Sequence, residues 1–206
     1  MLVFGLTGGI GSGKSAVATL LKEAAIPVVA ADDLAREVVA PGTKGLDEIF
    51  NLFGHEILDA SGHLDRAEMG RQIFSCLDKR KQLEQIIHPK VREALHAKKC
   101  DLERQGHPFL VYEIPLLFET KSENQFDGII VVSAPLEQRI ARIKQRDHSD
   151  DQEIQRRIST QMPDEEKRIR ADYIVENDGD IHALTQKVQH LIRDYLLPKA
   201  TQTTRP

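Results

Sequence analysis

A glycine-rich run near the amino end constrains this chain more than any other feature. Gly8-Gly9-Ile10-Gly11-Ser12-Gly13-Lys14-Ser15 follows directly on the apolar stretch Leu2-Val3-Phe4-Gly5-Leu6-Thr7. The spacing is G-x-x-x-x-G-K-[ST], with a strand pattern before it and a helix-like pattern after it. Glycines let a backbone wrap a phosphate so that successive N–H groups point inward at a helix N-terminus, which already favours anions. Lys14 then reaches β- and γ-phosphates, and the Ser15 hydroxyl is a natural Mg²⁺ ligand. A plain glycine-rich turn is the bland alternative. With Lys-Ser in register and a strand in front, the run reads as a phosphate-binding loop.

The 206 residues are enough for one sizeable core and a smaller appended subdomain. With Lys+Arg 28 against Asp+Glu 32 the net charge is −4, so no global basic field argues for nucleic acid. Cys76 and Cys100 lack metal-ligand spacing and read as buried free thiols, which suits a reducing cytosol. The amino end has no signal-peptide pattern, and nowhere do roughly eighteen apolar residues run together. These features lead us to expect a cytoplasmic protein with no membrane and no nucleic-acid partner, a monomer or a weak homo-oligomer.

Short apolar runs at 2–7, 27–31, 109–113, 128–133 and 173–176 alternate with helix-period segments. That is the pattern of an α/β fold, a five-stranded parallel sheet flanked by helices. Between the second and third strands, 42–105 shows no convincing strand. There Ile49, Leu52 and Phe53, then Met69, Ile73 and Leu77, then Val91, Leu95 and Leu102 recur near helical spacing. An insertion this long exceeds an ordinary crossover and reads as a helical subdomain for a second substrate. The tail 198–206 offers nothing apolar to dock and is expected to be disordered.

Several residues could carry chemistry. The second strand ends in Asp32-Asp33, where ligands of open α/β sheets bind. Asp32 is preferred as the functional carboxylate, facing a substrate hydroxyl or a metal, and Asp33 as the helix N-cap. Glu113 ends the third strand and is either a metal-shell residue or a polar strand end. Pro115-Leu116-Leu117-Phe118-Glu119 follows it, an apolar loop at a ligand edge that also suits core packing. Arg139, Arg142 and Arg146 fall at i, i+3 and i+7 on one helix and read as a mobile lid over phosphates, against plain surface charge. Asn177-Asp178-Gly179 is either a turn flanking a nucleotide base or an ordinary crossover turn. His88-Pro89 reads by itself as a helix start at proline.

In chain order, Leu6-Thr7 with the loop at 8–15, Ala31-Asp32 with Ala35-Arg36, His88-Pro89, Pro115-Leu116-Leu117-Phe118-Glu119, the arginine stripe, Gln161 and Ala171-Asp172-Tyr173-Ile174-Val175-Glu176-Asn177 resemble the dephospho-CoA kinase family. The resemblance implies a P-loop, nucleoside-kinase-like core with a helical acceptor subdomain and a lid. It implies ATP-dependent phosphorylation of the ribose 3′-hydroxyl of dephospho-CoA to CoA and ADP, the final step of coenzyme A biosynthesis. It assigns Asp32 as general base and puts Gly9, Gly11, Ser12, Gly13, Lys14, Ser15 and Ala16 on the ATP phosphates, with Ser15 on Mg²⁺ and Asn177 on the nucleotide. Arg139, Arg142 and Arg146 become lid residues, and His88, Pro115, Leu116 and Leu117 lie toward the acceptor. The implied organisation is one domain over 1–197, with core 1–40 and 107–197, insertion 42–105 and lid 146–165. Two positions depart from the family's pattern: Ala30 stands where a first aspartate is common, and Ala16 where threonine is.

Another small-molecule or nucleotide kinase of the same architecture, such as a shikimate kinase, is the nearest rival. A regulatory GTPase is more remote. Asp59-Ala60-Ser61-Gly62 superficially fits a switch motif, but no Asn-Lys-x-Asp guanine motif exists anywhere in the chain.

Overall fold

A computed structural model describes residues 1–74 and 76–203. Five parallel strands run Leu2–Gly8 (β1), Val28–Ala30 (β2), Phe109–Glu113 (β3), Gly128–Ser133 (β4) and Tyr173–Glu176 (β5), in the order β2-β3-β1-β4-β5. β1 is central, pairing Leu2↔Phe109 through Leu6↔Glu113 on one side and Phe4↔Gly128 through Gly8↔Val132 on the other. Parallel sheets are covered on both faces, and alternate residues here serve two cores. Phe4, Leu6, Val111, Ile130 and Val132 pack on one face against Val17, Ala18 and Leu21 of helix Lys14–Glu23 (α1). Ile129 and Val131 pack on the other with Leu117 and Phe118. Carboxylates close two strand starts, since Asp127 Oδ2 accepts the Val3 N–H at 2.7 Å and Asp172 Oδ2 the Ile129 N–H at 2.8 Å.

The chain forms two compact units, one from Met1–Ala30 and the chain from Leu102 onward, the other from Ala31–Asp101. The second unit contains helices Ala31–Glu37 (α2), Lys44–Phe53 (α3) and Arg66–Phe74 (α4), and most of Leu77–Arg104 (α5). Its core is Val39, Ile49, Ile57, Met69 and Leu83. Within it, Leu58 and Leu64 form an isolated bridge. The unit begins at Ala31, earlier than the expected position 42, and Val38 and Val39, just after α2, join its core.

Four expectations need correction. Leu52 and Leu77, read as core-facing, are exposed. Pro89 does not start a helix but lies inside α5. There it removes one backbone hydrogen bond without ending the element. Cys76 and Cys100 are only partly buried. The tail does not fray at 198: helix Ile181–Leu191 (α9) runs through a π-turn, Ile192–Leu196, into helix Leu197–Thr203 (α10). Leu196 and Ala200, four apart, continue the apolar stripe into the core, and Ala200 is 7% exposed. Positions 204–206 lie outside the described residues.

Candidate active site

The loop after β1 is a tight turn into α1. Ser12 N–H donates to the Gly9 carbonyl at 3.0 Å, and Gly13, at φ +89°, stands in the N-cap position with no side-chain cap. Among the described residues, the N–H groups of Gly11, Gly13, Lys14 and Ser15 have no acceptor within the protein. Unsatisfied donors at a helix N-terminus are what an anion needs. The loop is also closed from behind. A Cβ on Gly13 would lie 2.0 Å from Asn177 Nδ2, and one on Gly9 would lie 2.4 Å from the Arg139 guanidinium.

Lys14 leaves the loop and forms an ion pair with Glu113 at the end of β3. The Ser15 hydroxyl points to the same carboxylate oxygen at 3.4 Å. A hydroxyl and a carboxylate converging beside the phosphate-ready donors suit Mg²⁺, which prefers oxygen and keeps several waters and phosphate oxygens. No cluster of three or more His, Cys, Asp or Glu side chains able to cage a metal occurs among the described residues, and Mg²⁺ needs none. Glu113, left open by the sequence, is thus placed beside Lys14 and Ser15.

Helix Leu136–Asp147 (α6) carries the arginine stripe, but the structure splits it. Arg139 is 5% exposed, and its Nε donates to the Ile10 carbonyl at 3.0 Å. Burial pushes its pKa down, and the Asp164 carboxylate 4.0 Å away pushes back. Arg142 donates to the carbonyls of Gly11 and Ser12, each at 3.4 Å, and to the Asn177 carbonyl at 3.0 Å. Arg146 does neither. It is exposed and held by Asp147 at 2.6 Å, and Arg157 of helix Asp151–Ser159 (α7) shares that carboxylate at 2.7 Å. The expected uniform lid stripe is thus two loop braces and one surface pair.

Asn177, after β5, gives its side-chain amide to the Ser12 carbonyl at 2.8 Å. That hydrogen bond ties the end of β5 to the phosphate loop. Glu119 Oε1 accepts from Lys167 Nζ at 2.8 Å and from the Met162 N–H at 2.9 Å. Burial alone would raise the Glu119 pKa; the hydrogen bonds from Lys167 and Met162 outweigh it and hold the carboxyl below its ordinary value. Neither Lys167 nor Asp164 was anticipated. Both lie in Asp164–Ile169 (α8), whose run of charges reads in sequence as a solvated face.

The remaining predicted residues are placed as follows. Asp32 is exposed in the first turn of α2, directly after β2. Asp33 is not the N-cap, because α2 already begins at Ala31; its carboxylate lies 3.8 Å from Arg36. Pro115 accepts the Thr7 hydroxyl on its carbonyl at 3.3 Å, and Leu116 is exposed. Leu117 is 0% exposed within the core, so it cannot touch a substrate as expected. His88 is exposed on α5, lining a shallow groove of about 370 Å³ with Lys81, Glu84 and Arg92. Asp59, the would-be switch aspartate, is spent on its own turn, accepting the Ser61 and His63 N–H groups at 2.8 and 3.0 Å.

The dephospho-CoA kinase family model matches residues 2–183. The chain belongs to the dephospho-CoA kinase family. Its relatives include dephospho-CoA kinases of Bdellovibrio bacteriovorus, 42% identical over 92% of this chain and 94% of the relative, and of Anaeromyxobacter dehalogenans, 44% identical over 94% and 92%. A solved Thermus thermophilus protein superposes with TM-score 0.78 at 36% identity, over 94% of this chain and 97% of that one. The Campylobacter jejuni dephospho-CoA kinase does so at 0.70 and 27%, over 93% and 96%. A shikimate kinase from Acinetobacter baumannii, at TM-score 0.50 and 17% identity over 94% of each chain, shares the fold alone. Family membership makes this dephospho-CoA kinase homologue a P-loop kinase and removes the GTPase reading.

Proposed function

We propose that this kinase transfers the γ-phosphoryl of ATP to the ribose 3′-hydroxyl of dephospho-CoA, giving CoA and ADP. The observation that carries the reading is the convergence of Lys14, Ser15 and Glu113 beside free loop N–H groups, in a chain that matches the family model over 2–183. Phosphoryl transfer through a loose transition state asks a protein mainly to position and to neutralise. Gly9, Gly11, Ser12, Gly13, Lys14, Ser15 and Ala16 line the donor phosphates. Lys14 exchanges its Glu113 partner for the β- and γ-phosphate oxygens. Ser15 and Glu113 would hold Mg²⁺, which when bound would supply neutralisation of the charge on those oxygens. Arg146 and Arg157, both paired with Asp147 within the lid at 146–165, are the cations that would turn to the transferring group.

For the acceptor, Asp32, in the first turn of α2 and two residues past the end of β2, takes the proton of the 3′-hydroxyl. The family resemblance assigns Pro115, Leu116 and His88 to acceptor binding as well. No helix among the described residues is long and apolar enough to cross a membrane, in keeping with a cytoplasmic enzyme of small-molecule substrates. The test is incubation of the purified protein with Mg-ATP and dephospho-CoA, following CoA and ADP by chromatography. Stoichiometric CoA and ADP are expected. ADP release with shikimate or a nucleoside monophosphate but not with dephospho-CoA would overturn the assignment.

A further inference from the structure

The turn between α7 and α8 meets the phosphate loop through one hydrogen bond: Gln161 Oε1 accepts the Ile10 N–H at 2.8 Å. The next residue, Met162, gives its own N–H to Glu119 Oε1 at 2.9 Å, and that oxygen also accepts Lys167 Nζ at 2.8 Å. Lys167 is 0% exposed, and the second Glu119 oxygen, Oε2, is buried without a partner. Met162 packs against the same core as Leu117 and Phe118, just before Glu119.

A fully buried lysine is rare, and a buried ion pair is weak support for stability, since apolar side chains of similar volume often do as well. An unpaired carboxylate oxygen makes this pair costlier still. What the pair does, and an apolar pair cannot do, is fix the Met162 N–H. Through one rigid peptide unit that fixes where Gln161 stands. Ile10 sits between Gly9 and Gly11; Arg139 holds its carbonyl, and Gln161 holds its N–H.

We propose that Glu119 and Lys167 are positioning residues for the phosphate loop, acting through Gln161 to hold Ile10. They tie the segment following β3 to the donor site, so that displacement of one is felt by the other. This rests on the loop being the ATP site, and it is independent of which acceptor is used.

The experiment measures amide hydrogen exchange at Ile10 by NMR, Mg-ATP affinity by calorimetry, and the melting temperature, all on the full chain. Gln161→Leu should speed Ile10 exchange about tenfold and weaken ATP binding about tenfold, with little change in melting temperature. Gln161→Glu keeps an acceptor oxygen and should leave Ile10 protected. The double variant Glu119→Leu with Lys167→Met removes both charges together, and it should expose Ile10 while keeping a cooperative melt. If the double variant does not fold, Gln161→Leu decides alone. Unchanged Ile10 exchange in Gln161→Leu or in the folded double variant, or faster exchange with unchanged ATP affinity, overturns the proposal. Absence of ATP binding by the unaltered protein would instead sink the functional reading, and the exchange data would remain interpretable.

Discussion

Asn177 and Ser12 are joined by a buried hydrogen bond of 2.8 Å, from the amide at the end of β5 to a carbonyl inside the phosphate loop. Arg142 reinforces it by donating to the same carbonyl at 3.4 Å and to the Asn177 carbonyl at 3.0 Å. Holding a loop by its carbonyls leaves its N–H groups free for an anion. Asn177→Ala is therefore expected to cost about 0.5–1.5 kcal/mol of stability, the net worth of one hydrogen bond, since Arg142 still reaches the Ser12 carbonyl. Chemical denaturation measures this, and an ATP titration should show weaker binding as well. Asn177→Asp should be worse than alanine in both assays, because a carboxylate would face the Ser12 carbonyl.

The Lys14–Glu113 pair yields a metal-dependent prediction. Lys14→Met should lower kcat roughly 10²–10³-fold, in the range of losing one charge-stabilising donor. Glu113→Gln keeps the shape of the side chain and weakens its hold on a cation. Titrating Mg²⁺ at fixed ATP should show half-maximal activity moving to higher metal concentration in Glu113→Gln. An unshifted curve would remove Glu113 from the metal shell.

For Asp32 the expected signature is a split between binding and turnover. Asp32→Asn should bind ATP as the unaltered chain does while kcat falls roughly 10²–10⁴-fold, the usual worth of a general base. A coupled ADP assay with dephospho-CoA reads turnover, and near-normal rates would exclude Asp32 as the base.

Glu119 gives the molecule an acid-sensitive element. Its folded-state pKa is depressed by Lys167 and Met162 against the opposing effect of burial. A depressed carboxyl stabilises the fold fully above its unfolded value, near 4.5, and that contribution is lost as pH falls through the lower folded value. Melting temperature against pH should therefore fall less steeply below about pH 4.5 in Glu119→Gln than in the unaltered chain. Identical slopes would contradict the shift.

Tyr195 points the other way. Its hydroxyl is buried without a partner, and burial, with Asp172 adding, pushes its pKa up. Tyr195→Phe removes that unpaired group and keeps the ring contacts with Phe4 and Tyr173. Unfolding free energy should be unchanged or rise by up to about 1 kcal/mol. A loss above about 1 kcal/mol would mean the hydroxyl has a partner after all.

What sequence reasoning could see divides along physical lines. Phe109–Glu113 and Gly128–Ser133 were readable to the residue because strands buried on both faces appear as continuous apolar runs. The loop was legible because all its parts are consecutive. The arginine stripe divides for a geometric reason: Arg146 lies two turns, about 10 Å, further along α6 than Arg139. One face of a helix is not one address, so only the near arginines reach the loop. Lys167 carried no signal, since its burial depends on Glu119, 48 positions earlier. The tail turned on Ala200, a single methyl whose docking no hydrophobic pattern reveals.

The central place of β1 also governs how the molecule comes into being. Its hydrogen-bonded neighbours are β3, reached through Leu2↔Phe109, and β4, reached through Phe4↔Gly128. β1 is thus without any sheet partner until Phe109 of β3, more than a hundred residues later, has been made. Its apolar residues Val3, Phe4 and Leu6 must stay shielded for that interval, because non-local parallel pairing is slow and exposed while it waits. The unit Ala31–Asp101 is synthesised entirely within the same interval and builds its core from its own residues. The nascent chain therefore has a middle able to condense before its beginning, and nucleotide binding can appear only after β4 has emerged.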